Sequence, residues 1–314
     1  MKGLEAVTLK QLRALAAVAR SGSITAAADM LSLTPPAVHL QIKALEGIAQ
    51  SKLLQRSSDT AGSQLTQAGH ALLVAAERIE AHLSQGLGQV QALAEGHAGK
   101  VTIGVVSTGK YFAPRLVKRL MDRFPEIEIV LRVGNRTEVV ADLDRGAVDM
   151  AIMGRPPRQP DVVAEQLGPH PHGIIAPPDH PLARAAQVEI ADLVRETFLG
   201  REEGSGTRIL MTRYLDRIGE GQIIDTVEMG SNETIKQAVI AGLGLALISL
   251  HTVTDELEFG RLALVRAPGL PILRHWFLVW PSDTPMGPAG ERIYQEIVRM
   301  GGDFLPGSLE NFYK

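Results

Sequence analysis

Side chains that could bind a small anion gather where predicted strands give way to predicted helices in the second half of the chain. Helix N-terminal amides carry positive potential, and hydroxyl, amide and guanidinium groups beside them can hydrogen-bond an anion. In open α/β sheets such junctions meet at one edge of the sheet. We therefore predict an anion site formed by Ser107, Thr108, Lys110, Asn135, Arg136, Arg155, Glu202, Ser205, Gly206, Thr207, Arg208 and Asn232.

Each of these Ser, Thr and Asn residues also has a simpler interpretation. A hydroxyl or amide at the start of a helix commonly accepts a hydrogen bond from a backbone N–H and so caps the helix without binding any ligand. For any single residue the capping role explains the sequence at least as well. The convergence of several junctions on one cleft favours the anion site.

The motifs of known catalytic sites are not met. The chain contains no cysteine, which excludes a thiol nucleophile, a thiolate metal site and a disulfide. The Gly-Ser-Gly at 204–206 lacks the Gly-Lys-Ser/Thr of a phosphate-binding loop. Gly242-Leu-Gly244 is too short for a dinucleotide motif and precedes a predicted strand rather than following one. We expect no enzymatic activity.

Four histidines require an interpretation of their own. His170 and His172 could bind a metal, but no further ligand spacing accompanies them, and we interpret them as loop residues. His251 and His275 are interpreted as ordinary histidines. We therefore expect no metal and no cofactor, only a small anionic effector.

A second set of candidate binding residues lies on one short segment near the N-terminus. Two predicted helices, 24–31 and 35–47, are joined by a three-residue turn. Val38, Ile42 and Leu45 share one face of the second helix, which leaves its opposite face without a core role. This pattern is typical of a helix-turn-helix, with a generic three-helix bundle as the alternative. The residues expected to contact DNA are Ser23, Thr34, Pro35, Pro36, His39, Leu40, Lys43 and Arg56.

Length, composition and charge indicate that these two sites lie on separate folded units. A chain of 314 residues with 45% apolar and 21% charged residues predicts more than one folded unit. Residues 1–66 carry seven basic and four acidic residues, whereas the whole chain has a net charge of −3. No apolar run approaches the roughly 18 residues of a membrane span, and the N-terminus lacks the pattern of a secretion signal. We expect a cytoplasmic protein that does not contact membranes.

A helix over residues 67–95 should join the two sites. Apolar or small residues follow one another there at intervals of four and three, which is a heptad seam: Leu72, Ala76, Ile79, Leu83, Gly86, Val90 and Leu93. Such a stripe could pack on its own domain. Its position between a DNA-binding head and a ligand domain favours a coiled coil that pairs two copies of the chain.

From residue 98 onward, strand-like runs alternate with helical ones in two βα units linked by crossing strands. This order predicts a parallel or mixed sheet covered by helices. It favours a two-lobed α/β domain of the periplasmic-binding-protein type, with ligand held between the lobes.

Residues 8–69 resemble the DNA-binding region of LysR-type transcriptional regulators. The resemblance is carried by the run AAADMLSLTPPAVHLQIKALE, followed by LLQR and LTQAG. The second half resembles the effector domain of the same family, including DHPLA at 179–183 and AGLGLALIS at 241–249. The resemblance implies a winged helix-turn-helix, in which the third helix reads the major groove and a β-hairpin wing touches the adjacent DNA backbone.

Within that family, the stretches VVSTGKYFAP, GNR, MGRPP, REEGSGTR and MGSNETIKQAVIAGLGLALIS are similar to the CbbR group of activators, which control carbon-dioxide fixation operons in autotrophic bacteria. This similarity implies Calvin-cycle or photorespiratory metabolites such as ribulose 1,5-bisphosphate as effectors. Promoter DNA and RNA polymerase are the implied partners, and a homotetramer built from two dimers is the implied assembly. A LysR regulator of another pathway, responding to a different small anion, is the alternative.

The chain departs from the family pattern at the expected DNA surface. Members usually carry Gln where this chain has Pro35, and often Ser in place of His39. A Gln can contact an adenine edge, which Pro cannot. The wing, SSDTAGSQ at 57–64, is longer than usual and has no Lys or Arg. These differences should weaken DNA affinity and its salt dependence without abolishing DNA binding.

The predicted architecture is therefore α plus α/β. Residues 1–66 form the winged helix-turn-helix, 67–97 the linker helix and 98–314 the effector domain. Within that domain, lobe I comprises about 98–168 and 275–301, and lobe II about 169–274.

Overall fold

The computed structural model describes residues 4–56, 62–95 and 98–307. The chain separates into two compact units, Met1–Gly88 with Arg145–Ala147, and Gln89–Asp144 with Val148–Lys314. This division falls inside a long helix, so the domain boundaries predicted at residues 66 and 97 stay predictions. No helix in the described ranges is both long and apolar enough to cross a membrane.

The first unit is a small helical head with a β-hairpin. A 3-10 turn at Leu4–Ala6 is followed by α1 (Leu9–Ser21), α2 (Ile24–Leu31), α3 (Pro35–Ala49), β1 (Leu54–Arg56), β2 (Ser63–Leu65) and α4 (Gln67–Glu95), which begins in this unit. β1 and β2 pair antiparallel. The helix-turn-helix and the long helix predicted from the sequence are both confirmed.

Local signals explain where the first helices begin and end. Thr8 and Gln11 form a reciprocal capping box at the start of α1. Gly22 ends that helix with φ of 74°, a left-handed conformation that costs glycine little. The Ser23 hydroxyl then accepts a hydrogen bond from the backbone N–H of Ala26 and starts α2.

The head packs around small side chains. Ala14, Ala17, Ala27 and Ala28 are fully or almost fully buried, which lets α1 and α2 approach closely. The apolar face of α3 closes the core from the other side, as its spacing predicts. Its opposite face is consequently left in solvent.

The second unit begins with three parallel strands and their crossover helices. These elements are β3 (Gly99–Val106), α5 (Ala113–Arg123), β4 (Ile127–Gly134), α6 (Arg136–Asp144) and β5 (Met150–Met153). β3 lies in the middle, with β4 and β5 on either side. A 3-10 turn at Ser107–Tyr111 follows β3. Together with the last helix of the chain, these elements form lobe I.

The remaining elements form lobe II and return to lobe I. They are β6 (Val162–Ala176), α7 (Pro181–Arg184), α8 (Ile190–Leu193), β7 (Phe198–Arg201), α9 (Gly206–Gly219), β8 (Thr226–Met229), α10 (Asn232–Ile240), β9 (Ala246–Ser249), α11 (Thr254–Glu258), β10 (Ala263–Val265), β11 (Ile272–Pro281) and α12 (Pro288–Arg299). β7 and β8 pair parallel, and a single bridge between Phe198 and Leu245 leads from β7 toward β9.

One mixed sheet runs through both lobes, in the order β10-β6-β11-β5-β3-β4, with β9 also paired to β6. β6 and β11 are its longest strands and pair with each other over nearly all of β11. One end of β6 therefore lies in lobe I, and the other packs under the helices of lobe II. The predicted mixed sheet with crossing strands is confirmed. The interpretation of His170 and His172 as loop residues is wrong, because both lie within β6.

Candidate ligand cavity and DNA-binding surface

A cavity of about 140 Å³ lies between the lobes, beside β6 and β11 and at the carboxyl ends of β3 and β5. Of the residues predicted for the anion site, those that line it are Ser107, Thr108, Arg136, Arg155, Ser205, Gly206 and Thr207. They come from both lobes and from the segments that follow four strands, β3, β4, β5 and β7. The cavity thus brings together a large part of the predicted anion site.

The hydroxyl groups of the cavity belong to buried residues. Thr108, Ser205 and Thr207 are each at most 6% exposed. Ser205 directly precedes α9, yet its side chain makes no capping hydrogen bond. The capping interpretation instead holds for Asn135, whose Oδ1 accepts a hydrogen bond from the backbone N–H of Glu138 at 3.0 Å. The 14-residue α9 therefore presents its positive end and a free hydroxyl to the cavity.

Four arginines line the same small space: Arg136, Arg155, Arg213 and Arg274. Arg136 donates hydrogen bonds to the backbone carbonyl oxygens of Arg155, at 2.5 Å, and of Pro156, at 3.3 Å. Within the described residues, neither Arg136 nor the other three forms an ion pair with a carboxylate. The cavity therefore concentrates positive charge that no acidic side chain of the described chain offsets.

The guanidinium groups raise one another's free energy. Burial lowers the pKa of Arg136, and the nearby charges of Arg155 and Arg274 lower it further. Burial likewise lowers the pKa of Arg274, followed by the charges of Arg155 and Arg213. Because clustered like charges in a partly dehydrated site are unfavourable, an anion bound among them would relieve a cost that the protein otherwise carries.

Predicted residues that do not line the cavity have partners elsewhere. Lys110 forms an ion pair with Glu233 across the two lobes at 2.5 Å, and the hydroxyl of Tyr111 donates to the same carboxylate. Arg208 pairs with Glu228 at the surface of lobe II. Each of these two cations therefore has an acidic partner, and neither of them lines the cavity.

Glu202 and Asn232 take part in a separate buried network. Arg201, 3% exposed, forms a bidentate ion pair with Glu202 at 2.6 and 2.7 Å. Its Nη1 also donates to Oδ1 of Asn232 at 2.5 Å and to Oγ of Ser107 at 3.0 Å. Since Ser107 belongs to lobe I, this network joins the lobes at the edge of the cavity.

Eight lining residues are absent from the predicted anion site: Val106, Gly154, His170, His172, Ile209, Leu210, Arg213 and Arg274. A signal existed for most of them. Gly206, Ile209 or Leu210, and Arg213 follow the i, i+3/i+4, i+7 spacing of a single helix face. His170 and His172 are two apart on a strand and so share one face. Arg274 carries no such signal, because only strand pairing brings β11 beside β6.

The expected DNA surface is the exposed face of α3. Pro36, His39, Leu40 and Lys43 are all exposed there, and Leu40 is 67% exposed. Lys43 lies 3.5 Å from the carboxylate of Glu46, one turn further along.

The other residues predicted to contact DNA lie around this face. Thr34 and Pro35 are exposed at the start of α3, and the Thr34 side chain makes no capping hydrogen bond. The Ser23 side chain is committed to capping α2. Arg56 ends β1, and the wing residues 57–61 lie outside the described residues.

The seam of α4 is divided between two environments. Ala76 is 3% exposed in the core of the head, so the prediction that it pairs two copies is wrong, and the half-buried Leu72 packs against the same core. Further along, Ile79, Leu83 and Val90 are 44%, 38% and 64% exposed. The side chain of Leu93 lies outside the described residues. An apolar stripe thus remains uncovered on the described part of the helix.

Comparison with known proteins places both parts of the chain in one family. Residues 9–70 match the family described as "Bacterial regulatory helix-turn-helix protein, lysR family", and residues 94–301 match "LysR substrate binding domain". The chain is 61% identical to the HTH-type transcriptional regulator CbbR of Cereibacter sphaeroides, over 98% of this chain and 99% of that protein. It is 40% identical to the RuBisCO operon transcriptional regulator of Allochromatium vinosum, over 94% and 98% respectively.

A solved structure shares the cavity-bearing region. The regulatory domain of CcmR from Synechocystis PCC6803, in complex with 2-PG, matches with a TM-score of 0.60 and 29% sequence identity. The match covers 64% of this chain and 97% of that domain.

Proposed function

The chain belongs to the LysR family of transcriptional regulators, and we propose that it controls carbon-dioxide fixation operons in response to a phosphorylated metabolite held between its lobes. It is a transcriptional regulator and not an enzyme. Relatives named CbbR and RuBisCO operon regulator, with nearly full mutual coverage, support the assignment of the controlled genes. A LysR regulator of a different pathway, with another small anion as effector, is the alternative.

The observation that carries the effector assignment is the cluster of four arginines without a carboxylate in the cavity. Guanidinium groups match the geometry and charge of phosphate oxygens and can bind them in pairs. The start of α9 and the free Ser205 hydroxyl add neutral donors suited to the same oxygens. A monocarboxylate would leave more of the positive charge unbalanced, so a phosphate group fits this site better.

The similar CcmR regulatory domain, solved with 2-PG, supports the same chemistry for this cavity. We therefore place phosphorylated products and intermediates of carbon fixation first among the candidate effectors. Ribulose 1,5-bisphosphate and 2-phosphoglycolate are the two to test first.

The direct test is a thermal-shift panel on the full chain. It uses ribulose 1,5-bisphosphate, 2-phosphoglycolate, ATP and NADPH, with inorganic phosphate as the control. A ligand at 100 times its Kd stabilises the native state by about 2.7 kcal/mol, which gives a visible shift in Tm. A selective shift with one of the first two supports the proposal. A shift no larger than that of phosphate alone returns the effector, and with it the pathway, to the alternative.

The head is the DNA-reading part. The exposed face of α3 enters the major groove of promoter DNA, and the stripe of Ile79, Leu83 and Val90 pairs two copies so that two heads read a pseudo-palindromic site. Two such dimers associate into a tetramer, and RNA polymerase is the partner at the promoter. A regulator that binds chromosomal DNA works in the cytoplasm.

Effector binding acts by changing the angle between the lobes and, through the subunits, the spacing of the paired heads. The effector can shift this equilibrium only by its difference in affinity for the two arrangements. Thr108→Ala separates the two functions, because Thr108 lines the cavity and lies outside the head. We expect it to lower the effector response while basal DNA binding, measured by footprinting, stays nearly intact. Equal loss of both would contradict the separation.

A further inference from the structure

His170 is held in one orientation on the wall of the cavity. It lies in β6, is 3% exposed, and its ring stacks on the indole of Trp276 with centroids 3.7 Å apart and planes within 14° of parallel. Its Nε2 lies 2.9 Å from Oγ of Ser249, which is fully buried. Stacking fixes the plane of the ring, and the Ser249 contact fixes its rotation within that plane.

The other ring nitrogen of His170 has no hydrogen-bond partner. Nδ1 is buried and makes no hydrogen bond to any residue that the structure describes. A buried polar atom without a partner is unfavourable and uncommon in folded proteins. An imidazole fixed on one side and unsatisfied on the other, in a cavity wall, points to a ligand atom on the unsatisfied side.

Gly154 leaves a space for such an atom. It follows β5 and lines the cavity beside Arg155. A Cβ added to Gly154 would lie 2.8 Å from Nδ1 of His170 and 3.0 Å from its Cε1. Any side chain at position 154 would therefore crowd Nδ1, and glycine keeps the approach to this nitrogen clear. Gly154 is not among the glycines with positive φ, so its backbone conformation does not require glycine.

We propose that Nδ1 of His170 donates a hydrogen bond to one oxygen of the effector, and that Gly154 keeps the room for that oxygen. The inference rests on the proposed function, because it takes the effector to be the occupant of the cavity. An anionic oxygen carries no proton and needs a donor. This role requires the tautomer in which the Ser249 hydroxyl donates to Nε2 and the ring proton is on Nδ1.

The surroundings keep the ring neutral, as this role needs. Burial sets the pKa of His170 well below its usual value, and His172, His251 and Arg274 lower it further. His172 faces it from the same strand with ring centroids 4.2 Å apart, and His251 from the turn after β9 at 6.0 Å. A neutral N–H in a fixed position requires the ligand to place an oxygen at a defined point, whereas the arginines supply positive charge. It therefore selects ligands by the position of an oxygen.

The two ring nitrogens can be tested separately with conservative variants of the full chain. The amide of His170→Asn falls near the position of Nδ1, whereas that of His170→Gln falls near Nε2 and keeps a partner for Ser249. Gly154→Ala puts a methyl group against Nδ1, so that the methyl group or the ring has to shift, and keeps both nitrogens of the imidazole. The affinity of each variant for 2-phosphoglycolate, ribulose 1,5-bisphosphate and inorganic phosphate is measured by titration calorimetry, together with its Tm without ligand.

We expect His170→Gln and Gly154→Ala to bind the organic phosphates about 10-fold more weakly, and His170→Asn to stay within about 3-fold of the original chain. The control is His180→Gln, a half-buried histidine of lobe II that accepts a hydrogen bond from the backbone N–H of Leu182 and does not line the cavity. Its affinities should be unchanged. If His170→Gln fails to fold, Gly154→Ala carries the test.

Two results would overturn the inference, and they differ. If the original chain binds both organic phosphates but His170→Gln and Gly154→Ala bind them equally well, the role of His170 is wrong and the proposed function stands. If the original chain binds neither organic phosphate better than inorganic phosphate, the proposed effector class fails and this inference fails with it.

Discussion

The outer face of α3 exposes one lysine among proline, histidine and leucine side chains, whereas the cavity between the lobes holds four arginines in about 140 Å³. Both regions are assigned to phosphate-bearing ligands. DNA offers many phosphates to two paired heads, so each head can contribute few cations. A small metabolite binds once, and the charges that hold it have to converge. Under the proposed assignments, the site for the ligand with many phosphates has the lower density of cations.

Exposure to solvent increases the electrostatic difference between the cations of α3 and those of the cavity. The side chain of Lys43 is 49% exposed and forms an ion pair with Glu46, so that water, salt and the carboxylate all weaken its electrostatic effect. The arginines of the cavity are partly removed from water and lack acidic partners in the described chain. A single cation should therefore contribute more to ligand affinity in the cavity than to DNA affinity on α3. Substitutions in each region test this ranking.

The largest effect is expected where the head depends on its partner copy. Leu83→Asp places a charge in the apolar stripe of α4 and should destabilise the dimer by about 2–5 kcal/mol. Sedimentation velocity should show dissociation, and affinity for a two-site operator should fall by more than about 100-fold while effector affinity stays unchanged. The neighbouring exposed Ser84→Asp is the control. A Leu83→Asp chain that stays paired would show that the stripe serves another purpose.

The next largest effect should come from a single arginine of the cavity. Arg136→Ala should weaken effector binding by about 100-fold, since hydrogen bonds to a charged group in a partly buried site contribute about 1.5–3 kcal/mol each. Titration calorimetry measures this decrease in affinity. The control, Arg132→Ala, removes an exposed arginine of β4 that does not line the cavity. DNA affinity should be unchanged in both, and a parallel decrease would remove the distinction between the regions.

Acid should destabilise the unit that carries the cavity. Burial lowers the pKa of His172 to about 3 and that of His251 to about 4. In the unfolded chain each titrates near 6.5. Because the unfolded state then binds more protons, stability is retained above about pH 6.5 and falls as the pH drops toward the folded values. At pH 5 the loss is about 2 kcal/mol for each histidine.

This prediction is checked by thermal unfolding at pH 7 and pH 5. His172→Gln and His251→Gln should each reduce the difference in unfolding free energy between the two pH values. If both variants keep the full pH dependence of the original chain, the buried histidines are not its source.

The smallest effect is expected on the recognition helix. Lys43→Gln should weaken DNA binding a few-fold and lower the slope of log K against log salt by about 0.9 for each phosphate that the head no longer neutralises. Gel-shift titrations between about 50 and 200 mM salt measure that slope. Lys118→Gln, on the exposed face of α5, is the control. A decrease in affinity as large as that of Arg136→Ala in the cavity would break the comparison.

The same two regions show what can be predicted from sequence. The surface of α3 follows from its own helical period, because the buried Val38, Ile42 and Leu45 determine which face remains outside. The cavity is assembled from segments far apart in the chain. Its junction residues were predictable, because the ends of neighbouring parallel strands meet. Arg274 was not, because its position depends on the pairing of β11 with β6.

Residue type also misleads where long side chains have a choice of partner. Lys110 and Arg208 sit at predicted junctions, as Arg136 does. Only the folded chain shows that Glu233 and Glu228 pair with them, while no described carboxylate pairs with Arg136. The sequence contains all of these charges but not their distances.

The continuous strands β6 and β11 have a mechanical consequence. Because they run through both lobes and stay hydrogen-bonded to each other, a change in the angle between the lobes has to bend the strands themselves. Their register shifts between Trp276 and Phe277, directly beside the indole that carries the ring of His170. A ligand bound in the cavity would therefore lie beside the point where both strands would have to bend. A small displacement of the strands at this point would become a larger movement at the outer ends of both lobes.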